Sequence, residues 1–231
     1  MRDLVSQLGK VKHFQSLPES AREAIVSAGQ VRRFAAGTTI FVESDPCAGM
    51  FVLLSGQVHL CKLGLQGQIQ IMTVIEPVIM FNEVAVLDGG PNPVTAIAIR
   101  DCQTWNIGCS AFHELMSRYP EVGLGLLPVL AARNRLLISQ YEDLSFRSVL
   151  ARTAKLLLDL SRYGQQTIDR REHSIYEMAA RVATTPEAIS RSLKTFKQDG
   201  YIVSTRTSIS ICQPEALARA AQIGPQILKD E

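Results

Sequence analysis

The chain has 231 residues, 46% hydrophobic and 20% charged, a composition ordinary for globular proteins and a length that suits two domains. No apolar run approaches the roughly 20 residues of a membrane span and the N-terminus lacks a signal-peptide core, so we expect a cytoplasmic protein without a membrane partner. The five cysteines form no CxxC pair. We therefore expect reduced, mostly buried thiols rather than a disulfide framework, a zinc site or an iron-sulfur cluster.

The net charge of +2 is unevenly placed along the chain. Residues 1–147 carry 12 basic and 13 acidic side chains, whereas residues 148–231 carry 12 basic and 9 acidic ones. A basic C-terminal part favours a nucleic-acid partner modestly, since many soluble domains have a similar balance.

Short β-branched runs separated by glycine and turn residues fill the chain from about Val31 to Ile107. Runs such as TTIFVES, MFVLLSG and IQIMTVI have the length and spacing of strands, with no long helical pattern between them. They predict a small antiparallel β-roll within residues 1–118, whose mouth can hold a ligand.

A heptad pattern in residues 119–147 predicts one long helix along which two chains meet as a homodimer. The seam consists of Leu127, Leu130, Asn134, Leu137, Tyr141 and Leu144. Asn134 either is a tolerated polar residue or pairs with its copy in the second chain and so fixes the register of a parallel dimer. Pro128 predicts a kink, or a helix that starts later than Glu121.

Residues 148–231 show the order helix, helix, tight turn, helix and β-hairpin. The first helix ends at Gly164, Ser174 can cap the second, and the third begins in TTPEAISRSLKTF. This order predicts a winged helix-turn-helix, whose second helix enters the major groove of double-stranded DNA. The expected fold class is α+β, with a β-roll, a dimerisation helix and a DNA-binding domain.

The stretch TTPEAISRSLKTF has an apolar face that suits a core and a polar face that suits DNA. The predicted DNA-binding residues are Thr185, Glu187, Ser190, Arg191, Lys194 and Lys197. Arg191 can donate two hydrogen bonds to guanine, Glu187 can accept from a cytosine or adenine amino group, and Ser190 can bond either base. The lysines can meet phosphates. Two alternatives stay open: Glu187 in a capping box with Thr184 as the cap, and lysines on an ordinary solvated face.

Four stretches carry a resemblance to a known family: FVLLSGQVHL, FNEVAVLDG, RYPE before the heptads, and PEAISRSL. In this order they resemble the CRP/FNR family of bacterial transcription regulators over essentially the whole chain. In the FNR-like branch, E-x-x-S-R on the recognition helix reads the bases, and here it falls on Glu187, Ser190 and Arg191. The resemblance implies a palindrome of TTGAT-like half-sites and RNA polymerase as a further partner.

Departures from the pattern of the cyclic-AMP branch argue against cyclic AMP as the effector. The cyclic-AMP branch has F-G-E-(L/I) and then Arg-Ser, in which the arginine pairs with the cyclic phosphate. Here Glu83 is retained, but Val94-Thr95 stands where Arg-Ser is expected. No arginine lies between Lys62 and Arg100, so the cation that a buried phosphate needs is missing.

The nitric-oxide-responsive DNR/NnrR-like group is most similar, since it shares the DGGPNPVTAIA-type stretch and the PE-x-x-SR helix. This similarity implies a haem in an apolar pocket between β-roll and dimerisation helix. The predicted effector pocket comprises Val58, Leu60, Phe81, Glu83, Val94, Thr95, Leu137 and Ile138. Leu137 and Ile138 stand where the cyclic-AMP branch has the Thr-Ser that meets adenine.

A haem iron needs an axial ligand. The sequence offers His13, His59, His113 and Cys47. Alternation along VHLCKL directs Val58 and Leu60 inward and His59 outward, and the i, i+4 pair of Cys109 and His113 is more often incidental than a site. His13, next to Phe14, is taken as the predicted ligand. The oxygen-sensing branch carries an N-terminal cysteine cluster, whereas no cysteine here precedes Cys47, so no iron-sulfur cluster is expected.

An enzyme, or a signalling subunit that reuses the β-roll, is the rival class. The sequence contains no phosphate loop, HExxH motif or nucleophile-base pair, so we expect no enzyme activity. Within the regulator class two alternatives stay open. One is a cofactor-free regulator that senses through Cys47 or Cys61, or is controlled by its abundance. The other is a cyclic-nucleotide-responsive regulator with an atypical pocket.

Overall fold

The computed structural model describes residues 6–8, 11, 14, 17–64 and 67–223. Two compact units make up the chain, one up to Arg135 and the other from Leu136 onward. The predicted α+β organisation, with an antiparallel β-domain, a long helix and a helix-turn-helix domain, is confirmed.

The described strands of the first unit pair antiparallel into two four-stranded sheets. One sheet has the order β1 (Gln30–Phe34), β8 (Cys102–Ile107), β3 (Met50–Ser55) and β6 (Ile79–Phe81). The other has the order β2 (Thr39–Phe41), β7 (Thr95–Ala98), β4 (Val58–Leu63) and β5 (Ile69–Ile75). Because successive residues of a strand face opposite sides, Phe51 enters the core between the sheets, whereas Met50 and Val52 enter a second core that contains helices.

The helices described in the first unit are α1 (Glu19–Ala28), α2 (Glu83–Asp88) and α3 (Cys109–Arg118), and the long helix α4 (Pro120–Phe146) begins there. Phe112 of α3 and Val122 of α4 are buried in one core, which fixes the start of α4 on the β-domain. The helix predicted within 119–147 is therefore present. It begins before Glu121 and continues through Pro128, so the alternative of a later start is wrong.

In the residues that the structure describes, the second unit contains the end of α4, four further helices and a small three-stranded sheet. The helices are α5 (Val149–Leu160), α6 (Ile175–Val182), α7 (Pro186–Gln198) and α8 (Pro214–Ala220). The sheet has the order β10 (Ile202–Ser204), β11 (Ser208–Ile211) and β9 (Ile168–Asp169). Ser174 caps α6 as predicted, since its hydroxyl accepts from the Glu177 amide at 3.2 Å. Ala183, with a φ of 54°, ends α6 before α7, and this order confirms the winged helix-turn-helix.

The prediction of reduced thiols is wrong for one pair, because Cys47 and Cys109 form a disulfide between residues 62 positions apart. The sheet explains the pairing: Met50 at the start of β3 is the antiparallel partner of Ile107 at the end of β8. Cys47, just before β3, and Cys109, just after β8, therefore lie at the same edge. Spacing along a sequence does not reveal a pair of this kind.

Candidate DNA-binding surface and effector site

Helix α7 carries the predicted base-reading residues on its exposed side. Ile189, Leu193 and Phe196 are buried in the core of the second unit and fix the rotation of α7 about its axis. The exposed residues are Thr185, Glu187, Ser190, Arg191, Lys194 and Lys197. All the predicted DNA-binding side chains are thus accessible, at helical spacing.

The N-terminus of α7 is capped by Thr185 rather than by Thr184. The Thr185 hydroxyl accepts a hydrogen bond from the Ala188 amide at 3.3 Å, and Pro186 occupies the first turn, where no amide donor is needed. The Thr184 amide instead donates to the Ala179 carbonyl at 3.0 Å and closes the preceding helix. The alternative of a capping box on Thr184 is therefore wrong.

Glu187 is held as an anion at the exposed start of α7. Hydrogen bonds from its own backbone amide and from the Thr185 hydroxyl lower the pKa of the Glu187 carboxyl, and the Arg191 charge lowers it further. One helical turn separates Glu187 from Arg191, so both face the same side. This end of α7 presents a hydrogen-bond acceptor beside a planar cation with several donors.

A groove of about 310 Å³ with both apolar and polar lining lies beside α7. Its polar lining comes from Arg170, Ser190, Lys194, Lys197, Ser204 and Thr205. Arg170 is held there because its backbone amide donates to the Thr207 carbonyl, and its guanidinium to the Thr205 carbonyl, both at 2.9 Å. Sequence reasoning missed Arg170, since pairing of β9 with β11 brings it to the groove. The available signal was the Arg170-Arg171 pair.

Glu83 lies buried at the start of α2 and meets Arg133 of α4, within the first unit. Its side chain is 3% exposed and forms an ion pair with the Arg133 guanidinium, which also donates to the Met80 carbonyl. Burial lowers the pKa of Arg133. The other carboxylate oxygen of Glu83, Oε2, is buried and has no hydrogen-bond partner among the described residues. Sequence reasoning missed Arg133, whose signal was a charge within an apolar helical stretch.

Removing one member of this pair should destabilise the first unit more than removing both. Arg133→Met leaves the Glu83 charge buried without its partner and should lower the free energy of unfolding by about 3 kcal/mol. Adding Glu83→Gln should recover part of that loss, because no charge then stays buried without a partner. Denaturant unfolding of both single variants and the double variant measures the coupling. Strictly additive losses would contradict a direct pair.

Two buried asparagines hold the loop 42–49 near this site. Asn82, with a left-handed φ of 67°, donates through Nδ2 to the Gly49 carbonyl at 2.9 Å and to Asn92 Oδ1 at 3.0 Å. Asn92 donates to two carbonyls of the same loop, and its Oδ1 accepts from the Ala48 amide at 3.0 Å. The loop is thereby tied to the residue that precedes Glu83.

The apolar residues of the predicted effector pocket lie in or against the core between the sheets. Val58 and Phe81 are fully buried there, and Leu60 and Val94 pack against it. The Phe81 and Phe51 rings stack with 5.3 Å between centroids. A haem macrocycle would have to displace these side chains, so they do not form an open slot for it.

The remaining predicted pocket residues have other surroundings. Thr95 is buried, and its Oγ1 accepts from the Glu43 amide at 3.0 Å. Leu137 and Ile138 belong to the second unit and are each 51% exposed. The structure brings two ion pairs together near these residues, Glu83 with Arg133 and Glu43 with Lys62.

The candidate haem ligands that the structure describes are engaged in other contacts. Cys47 is committed to its disulfide, and Nε2 of His113 donates to the Val86 carbonyl. Val58 and Leu60 face the core between the sheets as predicted, but His59, which alternates with them, is only 7% exposed because β4 is buried on both faces where it begins. His13 lies outside the described residues. In the described part of the chain, no three His, Cys, Asp or Glu side chains cluster as a metal site.

The predicted dimer seam is exposed along α4. Its members are Leu127, Leu130, Asn134, Leu137, Tyr141 and Leu144, and all but the half-buried Leu130 are exposed. Tyr141 is 72% exposed. Apolar side chains at heptad spacing that stay accessible within one chain suit an interface with a second helix.

Helix α4 is also, by length and composition, apolar enough to cross a membrane. Its most apolar window has a mean hydropathy of 1.3, and 11% of that window is buried. The prediction that no apolar run approaches a membrane span is therefore wrong. Charged and polar side chains such as Arg133, Asn134 and Arg135 interrupt this stretch, and its heptad pattern accounts for the apolar residues equally well.

Known protein families match both parts of the chain. Residues 31–119 match the Cyclic nucleotide-binding domain, and residues 151–220 match the Crp-like helix-turn-helix domain. The CRP-like cAMP-activated global transcriptional regulator of Mycobacterium tuberculosis is 30% identical over 220 residues, which are 93% of this chain and 98% of that protein. The Cyclic AMP receptor protein of Thermus thermophilus is 29% identical over 189 residues, 82% of this chain and 87% of that protein.

Solved structures show the same architecture. The Thermus thermophilus Catabolite Activator Protein is 27% identical with a TM-score of 0.54, over 91% of this chain and 98% of that chain. The c-di-GMP responsive global regulator CLP of Xanthomonas campestris is 17% identical with a TM-score of 0.72, over 84% of this chain and 99% of that chain, which supports the fold alone.

The fold and the exposed helix α7 define a DNA-binding transcriptional regulator of the winged helix-turn-helix class. The chain belongs to the CRP/FNR family. The two relatives described above are transcriptional regulators rather than enzymes. Regulators of this family bind DNA as dimers, and interaction with RNA polymerase is general among them.

Proposed function

We propose that the protein binds, as a homodimer, a palindrome of two TTGAT-like half-sites. The observation that carries this proposal is the exposed face of α7, where Arg191 stands one turn from the ionised Glu187. Arg191 donates two hydrogen bonds to guanine, and Glu187 accepts from a cytosine or adenine amino group. Thr185 orients Glu187 through its hydroxyl. Ser190 donates to the Pro186 carbonyl at 2.9 Å and keeps its lone pairs for a base donor.

Cations beside this face bind the DNA backbone. Lys194, Lys197 and Arg170 line the groove next to α7 and meet phosphates without reading sequence. Each phosphate that they neutralise releases condensed counterions, so affinity falls as salt rises. The regulator acts in the cytoplasm, at promoters where it contacts RNA polymerase. Fluorescence anisotropy with a palindromic and a scrambled duplex of equal length tests this function, and equal affinities would contradict it.

We propose further that cyclic AMP is not the effector. Val94 packs its apolar side chain against the core where a phosphate-binding arginine would be needed. Arg133 engages Glu83 and the Met80 carbonyl, so a cyclic phosphate would have to compete with a buried carboxylate for that guanidinium. Two relatives are named for cyclic AMP, but at 30% and 29% identity the ligand does not transfer with the fold.

Cyclic AMP should leave the protein's melting temperature and operator affinity unchanged. A ligand that binds the native state stabilises it by RT ln(1 + [L]/Kd), so 1,000-fold excess over Kd would contribute about 4 kcal/mol. Thermal unfolding with millimolar cyclic AMP measures this, with the operator duplex as a positive control for a detectable shift. A clear shift with cyclic AMP would favour the alternative, a cyclic-nucleotide-responsive regulator with an atypical pocket.

The response to haem and nitric oxide, and with it the DNR/NnrR-like branch, has support from the sequence resemblance alone. Of the described residues, Cys47 is bonded to Cys109, His113 donates to the Val86 carbonyl and Phe81 fills the packed core, so these residues give a haem no further support. The disulfide favours the thiol-sensing alternative instead.

A further inference from the structure

We propose that Cys47 and Cys109 form a reversible dithiol-disulfide switch that sets the operator affinity of this regulator. The inference rests on the proposed DNA-binding function and adds the redox signal that controls it. The disulfide joins the loop 42–49 to the first residue of α3. It thereby connects the surroundings of Glu83 to the helical segment that leads into α4.

The sheet keeps the two thiols adjacent whether or not they are bonded. The register of β3 on β8 pairs Met50 with Ile107, and these strand ends flank the cysteines. Gly49 has a φ of 96°, and a Cβ there would lie 2.3 Å from the Ile107 carbonyl oxygen. This close backbone approach requires glycine. Because the fold sets the separation of Cys47 and Cys109, closing the disulfide is an intramolecular step and is favoured accordingly.

Exposure and local charge distinguish this pair from the other cysteines. Cys47 and Cys109 are both half-buried, and Cys109 begins the ten-residue helix α3, whose N-terminus favours a thiolate. Burial raises the pKa of Cys61 to about 11, and burial also raises the pKa of Cys102. Both are therefore poor nucleophiles at neutral pH. Cys212 is exposed but belongs to the second unit.

Each end of the disulfide belongs to a segment that contacts another part of the first unit: Cys47 to the loop near Glu83, and Cys109 to helix α3. The loop that carries Cys47 is tied to Asn82, next to Glu83, by hydrogen bonds through Asn92. Helix α3 continues through Tyr119 into α4, and the two helices share one core. Breaking the disulfide thus removes a covalent constraint between the Glu83 site and the start of the helix that carries the dimer seam.

The chemistry is a thiol-disulfide exchange with a low-molecular-weight disulfide such as glutathione disulfide. The Cys109 thiolate attacks one sulfur of that disulfide and releases one glutathione thiolate. The Cys47 thiolate then attacks the Cys109 sulfur of the mixed disulfide and releases the second. The two protein thiols lose two electrons and two protons, which convert the oxidant to two thiols. In a reducing cytoplasm a disulfide of this kind is typical of redox sensing.

The test uses the full chain in glutathione buffers poised from reducing to oxidising. The Cys47–Cys109 disulfide is quantified by maleimide trapping and mass spectrometry, and operator affinity is measured by anisotropy in the same samples. We expect affinity to change at least about fivefold, the lower end of usual coupling between sites. The change should follow the disulfide fraction and reverse with a dithiol. Cys47→Ser and Cys109→Ser should each abolish the redox response, whereas Cys212→Ser should retain it.

Equal operator affinity in the fully oxidised and fully reduced wild type would overturn the switch, as would a redox response that survives in both serine variants. A disulfide that persists in the most reducing buffer would also overturn it. The wild-type comparison needs no substitution, so poor folding of a variant does not prevent a decision. Specific binding in both redox states would support the DNA-binding function even if the switch fails. If neither redox state prefers the palindrome, the DNA-binding function itself is contradicted.

Discussion

Arg191→Ala should abolish the preference for the palindromic duplex over a scrambled one. A bidentate contact to guanine contributes about 1 to 3 kcal/mol of discrimination, and a symmetric dimer makes the contact in both half-sites. Arg191 is exposed and outside the core of the second unit, so the substitution should not affect folding. Fluorescence anisotropy at fixed salt, with both duplexes, measures the loss.

The matched control for Arg191 is Lys197→Ala on the same helix. Lys197 is also exposed and lines the groove beside α7, where it meets a phosphate, so its loss should weaken both duplexes alike and make affinity less dependent on salt. If the arginine variant lost specific and scrambled binding equally, Arg191 would be a phosphate contact and the base-reading assignment would fail.

Leu137→Glu should separate the dimer into monomers and weaken operator binding about 100-fold or more, because two linked half-site contacts become one. Leu137 is 51% exposed within one chain and occupies the heptad seam of α4. A carboxylate there would be buried against its copy in a parallel dimer, where like charges repel. Analytical ultracentrifugation of the variant measures the association directly.

Ser139→Glu is the control for this substitution. Ser139 is exposed on the same helix but outside the seam, so the added charge should leave both association and DNA binding intact. A Leu137→Glu protein that stays dimeric at micromolar concentration would show that the chains meet through another surface.

The buried and exposed faces of a helix could be predicted, because they depend on residues that lie close together in the sequence. The faces of α7 follow from helical spacing, and Ile189, Leu193 and Phe196 are buried as that spacing requires. The alternative of a cap at Thr184 is off by one residue, because Thr184 and Thr185 are equally good caps and the Thr184 amide is used by the preceding helix.

Contacts between distant segments were not predictable in the same way. Cys47 meets Cys109 because of the register of β3 on β8, and Glu83 meets Arg133 because α4 packs on the β-domain. Neither contact leaves a periodic signal in the sequence. The burial of His59 was not expected, because alternation assumes one solvated face, whereas β4 is buried on both sides where it begins.

Sequence-specific DNA binding is tested most directly by selection of binding sites from a pool of random duplexes by the wild-type dimer. We expect enrichment of a two-fold palindrome with TTGAT-like half-sites, and loss of the guanine preference when the selection is repeated with Arg191→Ala. Enrichment of a single unrepeated site, of half-sites without that guanine, or of no sequence at all would contradict it.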